Sequence, residues 1–222
     1  MIQAGYVSCD GRISDKPATL VASDVDIEIT GEVNPWASRG GLKLAAALEH
    51  FGIDPTGSNC LDIGASTGGF TDVLLAGGAA RVHAVDVGHG QLVERIARDP
   101  RVVVLERTDA RNIVLEPMDG PIDLVVCDVS FISIRKAVGP ALDLARAGGR
   151  FVGLVKPQFE VGPGKVGGGG VVRDKMLLNQ VRDGATAWLD ARPGWRCDGI
   201  IHSPVTGGDG NLEYLIAGSK LC

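Results

Sequence analysis

From residue 60 to the end, the chain alternates short apolar runs with segments of helical periodicity. The apolar runs have the length of strands and are CLDIG, RVHAVDVG, VVVLERTD, IDLVVCDVS, RFVGLVK, CDGIIHSP and LEYLIAGS. The helical segments between several of them are DVLLAGG, GQLVERIARD, IRKAVGPALDLARAGG and KMLLNQVRDGATAWLDARP. This alternation predicts a doubly wound α/β sheet that is mostly parallel and binds its ligand at the carboxyl ends of its strands.

The last two apolar runs differ from the others because only PVTGGDGN separates them. This connection is too short for a crossover helix, so we expect the two strands to pair as an antiparallel hairpin. A parallel sheet with an antiparallel last strand is typical of the Rossmann-like S-adenosylmethionine-dependent methyltransferase fold, whereas nicotinamide-binding domains usually stay parallel. We therefore predict the methyltransferase fold.

The first 57 residues follow a different pattern. VSCDGRIS contains the hairpin dipeptide Asp10-Gly11, and DVDIEIT alternates polar and apolar residues with period two. We expect a small β element over residues 1–31, a linker and a first helix (KLAAALEHF, closed by Gly52) over residues 32–57, and the α/β domain over residues 58–222.

Composition narrows the possible functions. No apolar stretch approaches the ~20 residues of a membrane-spanning helix and no signal peptide is evident, so we expect a soluble cytoplasmic protein. Five cysteines without C-x-x-C spacing predict reduced thiols and no metal. The net charge is −5, and residues 1–35 carry six acidic but only two basic side chains. Nucleic acid would therefore have to bind a local basic patch.

A glycine-rich turn, LDIGASTGGFTDVLL, follows the first strand of the α/β domain and could serve a ligand or packing alone. Ser66 stands where the dinucleotide motif G-x-G-x-x-G needs its middle glycine. Asp86 ends the next strand, where a carboxylate can accept both ribose hydroxyls, and Asp109 follows the third. This pattern favours S-adenosylmethionine. The predicted cofactor-binding residues are Asp62, Gly64, Ser66, Gly68, Gly69, Phe70, Asp86, Val87, Asp109, Ala110 and Asp128.

Four further polar residues lie beside apolar runs at predicted sheet ends or helix starts. They are Lys43 in SRGGLKL, Asp128 in VVCDVSFIS, Lys156 in LVKPQFE and Glu213 in GNLEYLI. Any one of them alone is typical of an exposed side chain with a buried stem. Because all four precede or follow core elements, we expect them to converge on one cleft.

The segments SRGGLKL, LDIGASTGGFTD, CDVSFISI, VKPQFEVG, GGGVVRD and SPVTGGDGNLEYL carry a family resemblance. Over residues 36–222 the chain resembles the haemolysin-A-type (TlyA) ribosomal RNA 2′-O-methyltransferases of the FtsJ-like superfamily. The resemblance implies S-adenosylmethionine as cofactor, ribosomal RNA or ribosomal subunits as partner, cytidine as the methylated nucleotide, and a catalytic tetrad of Lys43, Asp128, Lys156 and Glu213. A membrane-lysing haemolysin and a cofactor-binding remnant without activity are the alternatives.

The chemistry of a ribose 2′-hydroxyl explains why such a tetrad would be needed. An alcohol is a poor nucleophile and must lose its proton as the new bond forms. We expect Lys156 to accept that proton and to lie beside Lys43. In this hypothesis Asp128 and Glu213 orient the two lysines, and Lys43 also anchors the ribose or its phosphate.

The N-terminal pattern I-x-A-G-x-V, D-G, K-P-x-x-x-V resembles the second half of the S-four RNA-binding domain. The helices that normally precede this half do not occur in the sequence, so we expect a partial domain, through a late start codon or a true truncation. Gly168 and Thr206 stand where the resemblance implies basic residues. The run Gly167–Gly170 is either a flexible lid or a linker. The remaining candidates for RNA contact are Arg39, Lys165 and Arg173.

Overall fold

The computed structural model describes residue 2 and residues 6–30, 34–113, 120–162 and 164–222. The chain forms two compact units, residues 1–35 and residues 36–222. Residues 31–33 of the predicted linker lie outside the described residues. The larger unit includes the first helix, and the predicted domain boundaries stay a prediction.

The smaller unit is a three-stranded antiparallel sheet in the order β2-β1-β3. Its strands are β1 (Val7–Cys9), β2 (Arg12–Ile13) and β3 (Ile27–Ile29). Asp10 and Gly11 both have positive φ angles, 49° and 72°, as a two-residue hairpin turn requires. The predicted small β element is confirmed, while its identity as a partial S-four domain stays a prediction.

The larger unit contains a sheet of seven strands within the described residues, in the order β6-β5-β4-β7-β8-β10-β9. Strand β10 lies antiparallel between β8 and β9, and the other neighbouring pairs are parallel. The predicted methyltransferase topology is therefore confirmed. The strands are β4 (Asn59–Ile63), β5 (Arg81–Val85), β6 (Val102–Leu105), β7 (Ile122–Cys127), β8 (Ala145–Val155), β9 (Trp195–His202) and β10 (Tyr214–Lys220).

Two helix predictions need correction. The predicted helix over residues 134–149 is two short helices followed by the start of β8 at Ala145, because Pro140 has no amide hydrogen to continue one helix. The segment GQLVERIARD forms only one helical turn. The helices are α1 (Gly40–His50), α2 (Gly69–Ala76), α3 (Glu94–Ala97), α4 (Ile134–Ala137), α5 (Gly139–Leu144), α6 (Pro157–Glu160) and α7 (Lys175–Asp190). No helix among the described residues is long and apolar enough to cross a membrane.

Helices cover both faces of the large sheet. On one face, the core is built from residues such as Leu44 of α1 and Leu74 of α2. On the other face, Leu142 of α5 and Leu189 of α7 pack against Phe151 of β8. With both faces buried, only the edges of the sheet and the strand ends remain for binding a ligand.

The start of α1 depends on a close approach between Gly41 and Trp36. A Cβ atom at Gly41 would overlap the Cβ and the indole ring of Trp36. The side chain of Trp36 packs against the core cluster that contains Leu44. Gly41 therefore lets the segment before α1 fold back onto the helix that carries Lys43.

We predict that Gly41→Ala destabilises the protein by about 1–3 kcal/mol, because overpacking outweighs the roughly 1 kcal/mol gained in helix propensity. Thermal and urea denaturation followed by circular dichroism measure the change. Gly208→Ala is the matched control, since nothing lies within 4 Å of a Cβ there, and it should change stability by less than about 0.5 kcal/mol. Equal effects of the two substitutions would refute this account of Gly41.

Candidate active site

The carboxyl ends of the parallel strands meet at one edge of the large sheet. Strand β10 runs the opposite way and therefore begins at this edge: Tyr214 pairs with Val155, the last residue of β8. Glu213 and Lys156, the flanking residues, are thus brought to the same place although the sequence separates them by more than fifty residues. The direction of β10 therefore places Glu213, which directly precedes this strand, at the edge where the parallel strands end.

Lys43 and Glu213 form a buried ion pair. Lys43 Nζ lies 2.5 Å from Glu213 Oε2, and the side chains are 10% and 3% exposed. Lys43 lies in the first turn of α1, and its burial alone would be unfavourable for an ammonium. Because each charge has the other as its partner, their mutual attraction offsets part of the cost of burying them.

Lys156 and Asp128 form a second pair beside the first. Lys156 Nζ lies 2.6 Å from Asp128 Oδ1 and donates a hydrogen bond to Ser130 Oγ at 2.9 Å. Lys156 is the residue before α6, which begins at Pro157, so the strand ends at the lysine. The contacts of Lys156 are thus a carboxylate and a hydroxyl, whereas Lys43 contacts Glu213.

Two adjoining cavities bring these pairs together. The lysine cavity, of about 290 Å³, is lined by Lys43, Asp128 and Lys156, together with Arg39 and the glycine-rich turn. The aromatic cavity, of about 350 Å³, is lined by Phe131, Phe159, Lys156 and Glu213 among others. The four predicted tetrad residues therefore meet at one cleft, and their catalytic role stays a prediction.

A third cavity, the aspartate cavity, of about 410 Å³, adjoins the lysine cavity through Asp128. Asp86 accepts hydrogen bonds from the backbone amides of Ser66 (2.8 Å) and Gly88 (2.7 Å). A Cβ at Gly64 would overlap the carbonyl oxygen of Asp128, so the turn can lie close to β7 only with glycine there. The predicted cofactor residues that line this cavity are Gly64, Ser66, Asp86, Val87, Asp109, Ala110 and Asp128.

The shape and lining of the aspartate cavity fit an adenosyl group. Its size falls within the usual range for small-molecule sites. The Asp86 carboxylate retains lone pairs that could accept ribose hydroxyls, and Val87, Ala110 and Ile132 offer an apolar surface for an adenine ring. These residues could therefore hold S-adenosylmethionine.

Asp109 has a partner that the sequence did not indicate. It forms an ion pair with Arg111 at 2.5 Å and accepts the Arg111 backbone amide at 2.9 Å. The side-chain hydrogen bonds from Arg111, followed by this backbone bond, lower the pKa of Asp109 to about 2. Asp109 therefore presents a fixed carboxylate at the wall of the aspartate cavity.

Two predicted cofactor residues do not reach these cavities. Asp62 is fully buried and accepts a hydrogen bond from Thr71 Oγ1 at 2.6 Å, so it supports the start of α2 from below. Gly68 is the residue before α2, and a Cβ there would meet Ile96 and Leu92 rather than a ligand. Neither residue lines any of the three cavities, and their contact with a cofactor stays a prediction.

Gly69 and Phe70 line the lysine cavity instead of the aspartate cavity. The sequence analysis missed Ser38, Ser130 and Gln91, which also line these cavities. Ser130 follows Asp128 by two residues, and this adjacency could have indicated it. Ser38 and Gln91 lie in the segments SRGGLKL and GQLVERIARD, whose patterns did not single out these two side chains.

The three candidates for RNA contact lie in different places. Arg39 is exposed and lines the lysine cavity. Lys165 and Arg173 are exposed but line none of the three cavities. In the part of the chain that the structure describes, no group of three or more His, Cys, Asp or Glu residues could hold a metal ion.

A family model for FtsJ-like methyltransferases matches residues 36–220. A Mycobacterium tuberculosis protein named 16S/23S rRNA (cytidine-2′-O)-methyltransferase TlyA is 48% identical, over 97% of this chain and 81% of that protein. A Brachyspira hyodysenteriae protein named Hemolysin A is 40% identical, over 97% of this chain and 89% of that protein. A solved structure from Streptococcus thermophilus superposes with a TM-score of 0.85 at 38% identity, covering 99% of this chain and 80% of the other.

Asp62 makes the stability of the protein depend on pH. Burial raises its pKa from the ordinary 3.8 to about 7, with smaller contributions from Asp128 and Asp86, and Oδ1 has no hydrogen-bond partner among the described residues. The folded protein therefore binds more protons than the unfolded chain between about pH 4 and pH 7. Stability is highest at the acid end of this window, falls as the pH rises through it, and is then constant.

We predict that Asp62→Asn, which keeps a neutral side chain, removes this loss. Relative to the variant, the wild type should lose on the order of 3 kcal/mol between about pH 5 and pH 8, at about 1.36 kcal/mol per pKa unit. Denaturant titrations of both proteins across this range measure the difference, and groups common to both cancel. A difference independent of pH would show that Asp62 is ionised in the folded protein throughout.

Proposed function

Because the chain belongs to the FtsJ-like methyltransferase family, we propose that it methylates a ribose 2′-hydroxyl of ribosomal RNA, with S-adenosylmethionine as donor and cytidine as the modified nucleotide. The observation that carries this proposal is the pair of lysine–carboxylate contacts at one cleft, 2.5 Å and 2.6 Å long. The Mycobacterium tuberculosis relative supports the substrate, since its printed name states this reaction for that protein. Ribosomal RNA as substrate implies action in the cytoplasm.

The aspartate cavity would hold the cofactor. In this proposal Asp86 accepts the ribose hydroxyls, Asp109 faces the adenine amine, and Val87 and Ala110 contact the ring. When bound, S-adenosylmethionine supplies a methyl group activated by the sulfonium charge. Asp128 lines both the aspartate and the lysine cavity, so donor and acceptor would be held on either side of one residue.

Lys156 would take the proton of the ribose hydroxyl. The 2′-oxygen would form its bond to the methyl carbon while the bond from that carbon to the sulfonium sulfur breaks and leaves a neutral thioether. The hydroxyl proton would pass to Lys156 Nζ, which would enter the step as a free amine after releasing a proton to solvent. Asp128, 2.6 Å away, then stabilises the ammonium that results. Ser130 holds the same nitrogen by accepting a hydrogen bond, which limits the positions that the amine can take.

Lys43 would bind the substrate. Glu213 is 3% exposed and lies 2.5 Å from Lys43 Nζ, so the ammonium is held in one place. From there it can donate hydrogen bonds to the ribose or its phosphate in the lysine cavity. Arg39, at the mouth of the same cavity, adds a positive charge for the RNA backbone. We also propose Lys165 and Arg173 as more distant RNA contacts.

We predict that Lys156→Ala lowers the rate of methyl transfer by about 10²–10⁴-fold, the usual contribution of a positioned base. Transfer of tritiated methyl groups to undermethylated ribosomal subunits measures the rate, and nuclease digestion with mass spectrometry identifies 2′-O-methylcytidine. Cofactor affinity, measured by isothermal titration calorimetry, should change little, because Lys156 does not line the aspartate cavity.

Lys136→Ala is the matched control, because Lys136 is an exposed lysine of α4 that lines none of the three cavities. Its rate should equal that of the wild type. If Lys156→Ala were as active as Lys136→Ala, the assignment of the base would be wrong. If the wild type transferred no methyl group to ribosomal subunits, the proposed substrate would be wrong.

A further inference from the structure

The glycine-rich segment, residues 167–172, ends in the buried side chain of Val172, 3% exposed, but its glycines make few contacts of their own. A short turn over Gly168–Gly170 is closed by bonds from the Gly170 amide to Gly167 O (3.1 Å) and from the Gly167 amide to Val171 O (3.2 Å). A Cβ at Gly168, Gly169 or Gly170 would meet no atom within 4 Å. Packing against these glycines therefore does not hold the segment in place.

Asn211 supplies the missing contact. Asn211 is only 1% exposed. Its Oδ1 accepts a hydrogen bond from the Val172 amide at 3.0 Å, and its Nδ2 donates one to Gly170 O at 2.9 Å. Both ends of the amide are thus bonded to the backbone of the glycine-rich segment. A buried amide with both ends bonded fixes the partner segment in a defined position.

Asn211 also belongs to the loop that leads into the cleft. This loop connects β9 to β10, and Glu213 follows Asn211 by two residues. Within it, the Gly207 amide donates to the carbonyl oxygen of Asn211 at 2.9 Å. Gly170 lines the aromatic cavity together with Lys156 and Glu213. The amide of Asn211 therefore joins one wall of this cavity to the loop that carries Glu213.

We propose that Asn211 is a positioning residue for the RNA substrate: it holds the glycine-rich segment as a fixed wall of the aromatic cavity. This inference rests on the proposed function and adds a residue to it. A wall that is already ordered spares the substrate the entropy of ordering it on binding. Since the hydrogen bonds of the Asn211 side chain go to backbone atoms and to none of the four tetrad side chains, its loss should weaken RNA binding more than the chemical step.

The test compares Asn211→Ala with the wild type in methyl transfer to ribosomal subunits. We expect KM for the subunits to rise about 10-fold, kcat to stay within about 3-fold, and cofactor affinity to stay within about 2-fold. Amide hydrogen exchange should accelerate in residues 167–172 and little elsewhere. Asn211→Asp keeps the acceptor for the Val172 amide but not the donor to Gly170 O, so its KM and its exchange rates should lie between those of the wild type and those of Asn211→Ala. This variant provides the test if Asn211→Ala folds poorly.

Asn59→Ala is the matched control. Asn59 is another bridging asparagine, with Oδ1 3.0 Å from His83 Nε2 and Nδ2 donating to Pro121 O at 3.2 Å, but it lies at the opposite end of β4. We expect lower stability with unchanged KM. The same rise in KM from Asn59→Ala, a fall in kcat alone, or unchanged exchange in residues 167–172 would each overturn the proposal. If the wild type were inactive on ribosomal subunits, only the proposed function would fail, and the exchange data would still decide the anchoring.

Discussion

The buried ion pair between Lys43 and Glu213 is the interaction on which the rest of the site depends. It joins the first helix of the larger unit to its last strand, across 170 residues of sequence. Removing two charges from water is unfavourable unless they meet in good geometry, so the positions of α1 and β10 constrain each other. Because β10 is antiparallel, its beginning, and not its end, lies beside the carboxyl ends of the parallel strands. The direction of β10 thus determines where Glu213 lies, beside Lys43.

Asp128 connects this constraint to the second half of the site. Its side chain lies against Lys156, and its carbonyl oxygen lies against Gly64 of the glycine-rich turn. The residue therefore lines the lysine cavity and the aspartate cavity at once. Methyl transfer requires the donor and the acceptor to lie close together and in line. A wall shared by the two cavities places their contents next to each other. The same arrangement explains why a small shift of β7 relative to β4 would disturb both cavities together.

The sequence predicted the architecture better than it predicted contacts. Apolar runs and the short connection over residues 204–211 were sufficient for the sheet, because burial on both faces and loop length are local properties. The prediction of one helix over residues 134–149 was wrong, because Pro140 interrupts the helical hydrogen bonding and β8 begins at Ala145. The tetrad followed from a family resemblance, but the partner of Lys156 depends on the pairing of β7 with β8, and the partner of Lys43 depends on how α1 packs near the start of β10, which no single segment contains. The burial of Asp62 was not predictable for a related reason: a motif gives the position along the chain and not the side of the turn on which a side chain lies.

The glycines show the same limit of prediction from sequence, because glycine occurs in this chain for two different structural reasons. At Gly41 and Gly64 a Cβ would overlap a neighbour, so glycine is present because two segments lie too close for a side chain. At Gly168–Gly170 a Cβ would meet nothing, so close packing does not explain the run. From the sequence, a lid and a linker were equal alternatives for this run. Neither a flexible lid nor a linker needs the two hydrogen bonds that join the Asn211 amide to this segment, whereas the fixed wall that we propose must be held where the substrate meets it.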